Sequence, residues 1–255
     1  MPCIDSLTEE SWRRFVSDSN QATMRKKHKY PLYERPFLDG CCTFQQAECT
    51  PECFCRKVGC GGVWTLRPDL KFQDFLSHYR NLWVRGARAF IDYVENDSRS
   101  GVSPRWKYAV PLLREIRRRW SNWDEHGNSL PSVVSKIRRC YFCDDSFSLI
   151  MPIVRDIQNL ASDTPGVFTS KLVSQLFYDI AVPFDRGSEK KQRACGYEPK
   201  RYGDGRMREQ AKAWLLANEK SIDDFRKPDD APECCWSSPG RGTTCSRVLD
   251  KLFYA

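Results

Sequence analysis

Residues 164–188 read TPGVFTSKLVSQLFYDIAVPFDRGS, and this stretch decides how the chain is understood. A Pro-Gly turn at Pro165 and Gly166 opens an amphipathic run, the run ends at Pro183, and a lone aspartate, Asp185, follows. Upstream, LIMPIVRDIQNLASD carries apolar residues at helical spacing, so the whole reads helix, short glycine turn, helix. Such a hairpin exposes backbone N–H groups at its glycine and points the positive end of the second helix outward, as a phosphate requires.

The rest of the chain supports a helical body. PDLKFQDFLSHYRNLWVRGARAFIDYVEND places Phe72, Phe75, Leu76, Tyr79, Leu82 and Trp83 three and four residues apart. SPRWKYAVPLLREIRRRW predicts another helix, with Ser103 as N-cap and Pro104 at its first position. Further helices are predicted in SLPSVVSKIRRC, SFSLIMPIVRDIQNLA, FTSKLVSQLFYDI, DGRMREQAKAWLLAN and SRVLDKLFYA, with one more near 9–17. No segment shows convincing alternation of period two. The expected fold is therefore mainly α, a helical domain over 66–255 with its hairpin near 160–180. It is preceded by an irregular, basic, cysteine-rich extension over 1–65.

Composition limits the function. With 40% hydrophobic residues in 255, the chain is long and apolar enough to bury a core, which excludes wholesale disorder. Its 41 Lys+Arg against 33 Asp+Glu give a formal charge of +8, so an anionic partner such as nucleic acid is expected. Arg114, Arg117, Arg118 and Arg119 crowd one helix, which reads as a solvated face or part of a phosphate-binding surface. No run approaches the roughly 18 apolar residues of a membrane helix, and no apolar signal core follows the N-terminus. A cytoplasmic location, or a nuclear one in a eukaryote, is the expectation.

The 13 cysteines are an odd number without a secretion signal, which points to metal or to reduced buried thiols rather than to a pure disulfide framework. Cys140 and Cys143 have the Cys-x-x-Cys spacing that supplies two ligands of a tetrahedral zinc site. A second pair comes from the loop holding Cys41, Cys42, Cys49, Cys53, Cys55 and Cys60, either Cys53 and Cys55 or Cys55 and Cys60, and the expected set is Cys53, Cys55, Cys140 and Cys143. Buried, unligated thiols are the alternative. Cys195, Cys234, Cys235 and Cys245 are too scattered for an iron–sulfur cluster. There is no Walker loop, no G-x-G-x-x-G and no H-E-x-x-H. The three histidines, His28, His78 and His126, each read as surface residues rather than catalysts.

The order hairpin, helix, lysine, aspartate resembles the helix-hairpin-helix DNA glycosylase superfamily. The matching positions are Thr164, Pro165, Gly166 and Val167 for the hairpin, Lys171 for the lysine of lyase-competent members, and Asp185 for the catalytic aspartate. The resemblance implies double-stranded DNA as partner, with Pro165, Gly166, Val167, Thr169 and Ser170 at the backbone. It also implies excision of a damaged or modified base after base flipping. Asp185 would stabilise the oxocarbenium-like transition state, and Lys171 would attack the anomeric carbon in a lyase. Phe168 stands where the family has its second hairpin glycine, and Lys171 lies one place later than the family pattern, which favours a monofunctional enzyme. The alternatives are a helix N-cap for Asp185 and an exposed helix position for Lys171. Two other functions compete: a non-catalytic, zinc-stabilised nucleic-acid-binding protein, and a helical protein-interaction module.

Overall fold

The computed structural model describes residues 3, 8, 10, 43–58, 62–83, 88–96, 108–160, 166–183, 186–198, 205–219, 222, 244–246 and 249. The N-cap expected at Ser103 with Pro104 after it, His28, Cys41, Cys42, Cys60, Thr164, Pro165, Asp185, Cys234 and Cys235 lie outside these residues; of the helix expected near 9–17 only Glu10 falls within them, and of the helix expected from 246 only Ser246 and Leu249.

The protein is mainly α. Helices follow one another at Phe54–Lys57 (α1), Phe72–Trp83 (α2), Arg88–Asn96 (α3), Ala109–Arg119 (α4) and Leu130–Ser135 (α5). The series continues with Ser146–Leu160 (α6), Gly166–Leu176 (α7), Arg186–Ala194 (α8) and Gly205–Ala217 (α9). The apolar spacing read in α2 lands inward: Phe75 and Leu76 are fully buried and Tyr79 nearly so. Ser129 caps α5 by accepting the N–H of Ser132 at 3.2 Å, with Pro131 in the first turn. α3 packs on α4, α4 on α6, and both α2 and α6 pack on α7.

One correction concerns the extension. Phe44–Ala47 (β1) and Val63–Leu66 (β2) form an antiparallel pair, with Phe44 opposite Leu66 and Ala47 opposite Val63. The expected boundary between residues 65 and 66 thus falls inside β2. Phe44 and Leu66 belong to the same buried cluster as α2, α4, α6 and α7, so the hairpin is part of the body. Four-residue strands are too short to display a period of two. Gly62 leads into β2 at φ +141°, and a Cβ there would sit 2.8 Å from the carbonyl oxygen of Ala47. Only glycine allows the two chains to approach so closely.

A second buried cluster joins Cys49, Cys53, Val63, Cys140 to Cys143, Met207, Trp214 and Cys245. Asp179 lies where the clusters meet. Its carboxylate accepts the N–H of Trp64 at 3.1 Å and of Cys245 at 2.9 Å, and its carbonyl accepts the N–H of Tyr141 at 2.8 Å. One buried side chain thus ties β2, the Cys-x-x-Cys loop and the C-terminal segment to the end of α7.

His78 corrects another expectation. It is not a surface residue but lies inside, edge-on to the Phe44 ring at 5.3 Å between centroids. His126 is exposed, in a turn closed by Asp124, whose Oδ1 accepts the N–H groups of His126 and Asn128.

Candidate functional site

Two features bring sequence candidates together: the α6–α7 pair and a knot of thiols. α6 and α7 are separated by five residues and pack on each other. Gly166 opens α7 exposed, and a Cβ there would meet nothing within 4 Å apart from its chain neighbours and its own helix. Val167 and Lys171, one helical repeat apart, are half-buried and form the outer stripe of α7. Phe168, Leu172, Val173 and Leu176 fill the core beneath.

Thr169 and Ser170 correct the sequence expectation. They are buried at 5% and 0% exposure, so neither hydroxyl is open to a phosphate. Lys171 is not the exposed position considered as the alternative, because it is only partly open to solvent.

The basic face of α4 has internal work. Arg114 Nε donates to the Val94 carbonyl at 3.3 Å and Arg117 to the Glu95 carbonyl at 3.1 Å, satisfying the last turn of α3. Arg118 pairs with Glu115, while Arg119 donates to the Trp123 carbonyl and lies 4.7 Å from the centre of its ring. These four arginines thus also bond within the fold, a role that neither sequence reading of the face included.

The thiol knot is built from two loops. Cys140 and Cys143 form a tight turn between α5 and α6, closed by Cys143 N–H to the Cys140 carbonyl at 3.1 Å. Ser146 fastens it from the start of α6, donating its hydroxyl to the Cys140 carbonyl and its N–H to that of Cys143. Cys53 arrives from the hairpin loop, at the N-cap position of α1. The sulfurs of Cys53, Cys140 and Cys143 all lie within 4.8 Å of one another, at 1%, 0% and 2% residue exposure. This buried set could hold a soft metal ion through three thiolates. Cys53 and Cys143 are also joined as a disulfide, with Cα atoms 5.2 Å apart, and Cys140 Sγ stands 3.8 Å from that of Cys143. The two chemistries exclude each other, since a metal takes thiolates and oxidation consumes them. Cys55 sits on α1 two positions past Cys53.

α9 covers this loop. Arg208 donates to the carbonyls of Cys143 at 3.5 Å and Asp144 at 3.3 Å and lies over the Phe147 ring. Lys212, whose side chain is only 10% exposed, pairs with Asp144 and lies 5.2 Å from the centre of the Phe54 ring. The ammonium donates to the Asp144 carboxylate and holds its pKa below the usual carboxylate range. On the other side Arg139 grips Asp145 at 2.8 and 2.9 Å, and this bond raises the guanidinium's pKa further. A second disulfide joins Cys3 to Cys195 beside the end of α8, with Cα atoms 5.6 Å apart. The sequence spacing gave no sign of that pair.

Among the described residues no helix is long and apolar enough to cross a membrane. No protein-family model, curated protein or solved structure matches the chain.

Proposed function

We propose that this protein binds DNA through the α6–α7 hairpin and excises a damaged or modified base by hydrolysing its N-glycosidic bond. The observation that carries the reading is the exposed start of α7 at Gly166, where a Cβ would meet nothing within 4 Å and the positive end of the helix dipole lies close by. A duplex phosphate fits there, and the chain's +8 charge favours its approach. Base excision rests on the resemblance to helix-hairpin-helix glycosylases. Asp185 would then stabilise developing positive charge on the sugar, with α8 starting at the next residue, Arg186. Lys171, on the half-covered stripe of α7, is the one described amine that the resemblance selects for a lyase step.

The buried thiol knot favours a second reading, a metal-stabilised DNA-binding protein without chemistry. One experiment separates the two. Duplexes carrying diverse modified bases are incubated with the protein and then treated with alkali, which cleaves at abasic sites. Strand breaks at a modified base support excision. Mobility shift without breaks selects binding alone, and neither effect removes both readings in favour of a protein-interaction module.

A further inference from the structure

The three clustered sulfurs leave a tetrahedral ion one ligand short. We propose that Cys49 supplies it, so that Cys49, Cys53, Cys140 and Cys143 form a closed tetrathiolate site for a single zinc-class divalent ion. The fourth cysteine is then Cys49 in place of Cys55.

Local geometry favours position 49. Residues 50 to 53 form a turn closed by the Cys53 N–H on the Thr50 carbonyl at 3.0 Å, which reverses the chain between the two cysteines. Cys49 is 4% exposed and lies in the same apolar cluster as the other three.

The surroundings suit thiolates. The Cys140 N–H lies 3.5 Å from Cys143 Sγ, a donor contact that stabilises negative charge on sulfur. The four residues are between 0% and 4% exposed, so no open position for a reactive water is evident, and the site is structural rather than catalytic. Burying several thiolates without a cation would be costly, so the metal-free reduced protein holds neutral thiols, and ion binding releases protons. In the fold, such an ion fastens the β1–β2 loop to the turn that launches α6. The inference is independent of the DNA reading.

The test uses the whole chain, purified under reducing conditions. Elemental analysis should find one zinc per chain, and cobalt exchanged into the site should give a sulfur-to-metal charge-transfer band with the intensity of four thiolates. Cys49→Ser should lower that band by about a quarter and weaken metal affinity at least tenfold, because one ligand of four is lost. Cys49→His should keep the ion with the same lowered band, and Cys55→Ser should change neither. A folded, reduced protein without metal would overturn the site. A three-thiolate band in the unaltered protein would overturn the role of Cys49, and so would a full band in Cys49→Ser or a lowered one in Cys55→Ser. The unaltered protein's own band answers the question even if a variant fails to fold.

Discussion

Asp179 Oδ1 accepts the backbone N–H of Cys245 at 2.9 Å across 66 residues of sequence, and its Oδ2 holds the N–H of Trp64 at 3.1 Å across 115. Both bonds lie in the region where the two buried clusters meet, so this carboxylate works as a joint between distant segments. At 1% exposure its charge has little water to help it, and the N–H donors stabilise it instead.

Asp179→Asn keeps the shape but turns one acceptor into a donor, which then faces a backbone N–H. Each hydrogen bond to a charged group contributes about 1.5–3 kcal/mol, and a buried donor left unpaired costs a similar amount. Urea unfolding should therefore show a loss of about 2–5 kcal/mol. Limited proteolysis should show the segment around Cys245 becoming cleavable before the body unfolds. An unchanged midpoint would mean that the two N–H groups find other acceptors.

His78 gives the fold an acid-sensitive point. Its Nε2 has no hydrogen-bond partner, and burial lowers the ring's pKa from the ordinary 6.5 to about 3. The unfolded chain takes up a proton near pH 6.5 while the folded chain stays neutral to about pH 3. Stability is then full above pH 6.5 and falls by about 1.4 kcal/mol per unit as the pH drops towards 3. His78→Phe, which fills a similar space, should flatten that limb of the stability profile relative to the unaltered protein. Parallel profiles from pH 7 to pH 4 would show that His78 protonates in the folded state without penalty.

What the sequence disclosed depended on how local the signal was. The apolar spacing of α2 was legible because Phe72 to Trp83 repeat at three and four residues, although its end at Trp83 and the separate α3 were not, and α9 stands where DGRMREQAKAWLLAN placed it. The thiol turn at Cys140 and Cys143 was legible from spacing alone. The β1–β2 pair was not, since FQQA and VWTL are too short to alternate visibly. Asp179 was passed over for a different reason: its donors come from residues 64 and 245, and no local pattern announces such a partner. His78 was misjudged as surface although it stands three residues after buried Phe75, where a helix brings both to one side.

Gly166 tests the DNA reading directly. A Cβ there meets nothing within 4 Å, and an acidic residue at a helix N-terminus is favourable by about 0.3–1 kcal/mol. Gly166→Asp should therefore fold at least as well as the original. It also places negative charge where a phosphate would approach, so affinity for duplex DNA should fall by tenfold or more, on the order of 1.4 kcal/mol. Binding by the unaltered protein should weaken steeply with salt. Equal affinities in gel-shift titrations would show that this turn does not touch DNA.

Lys171 and Asp185 separate the mechanisms. Asp185→Asn removes charge while hardly changing shape. If the carboxylate stabilises an oxocarbenium-like transition state, base release should drop by on the order of a hundredfold or more while duplex affinity stays the same or rises, because the lost interaction strengthens mainly in the transition state. A lyase passes through a Schiff base on its amine, which borohydride reduces to a stable protein–DNA adduct, and Lys171→Gln would abolish that adduct. A monofunctional enzyme gives no adduct and keeps most of its base release in Lys171→Gln. The monofunctional outcome is the expected one, since Lys171 lies one place later than the lysine of the lyase-competent glycosylases. In the fold it is also partly covered, with its carbonyl accepting the Ser174 hydroxyl at 2.9 Å. Full base release by Asp185→Asn would remove the aspartate from the mechanism, and DNA binding through the hairpin would then stand without the chemistry.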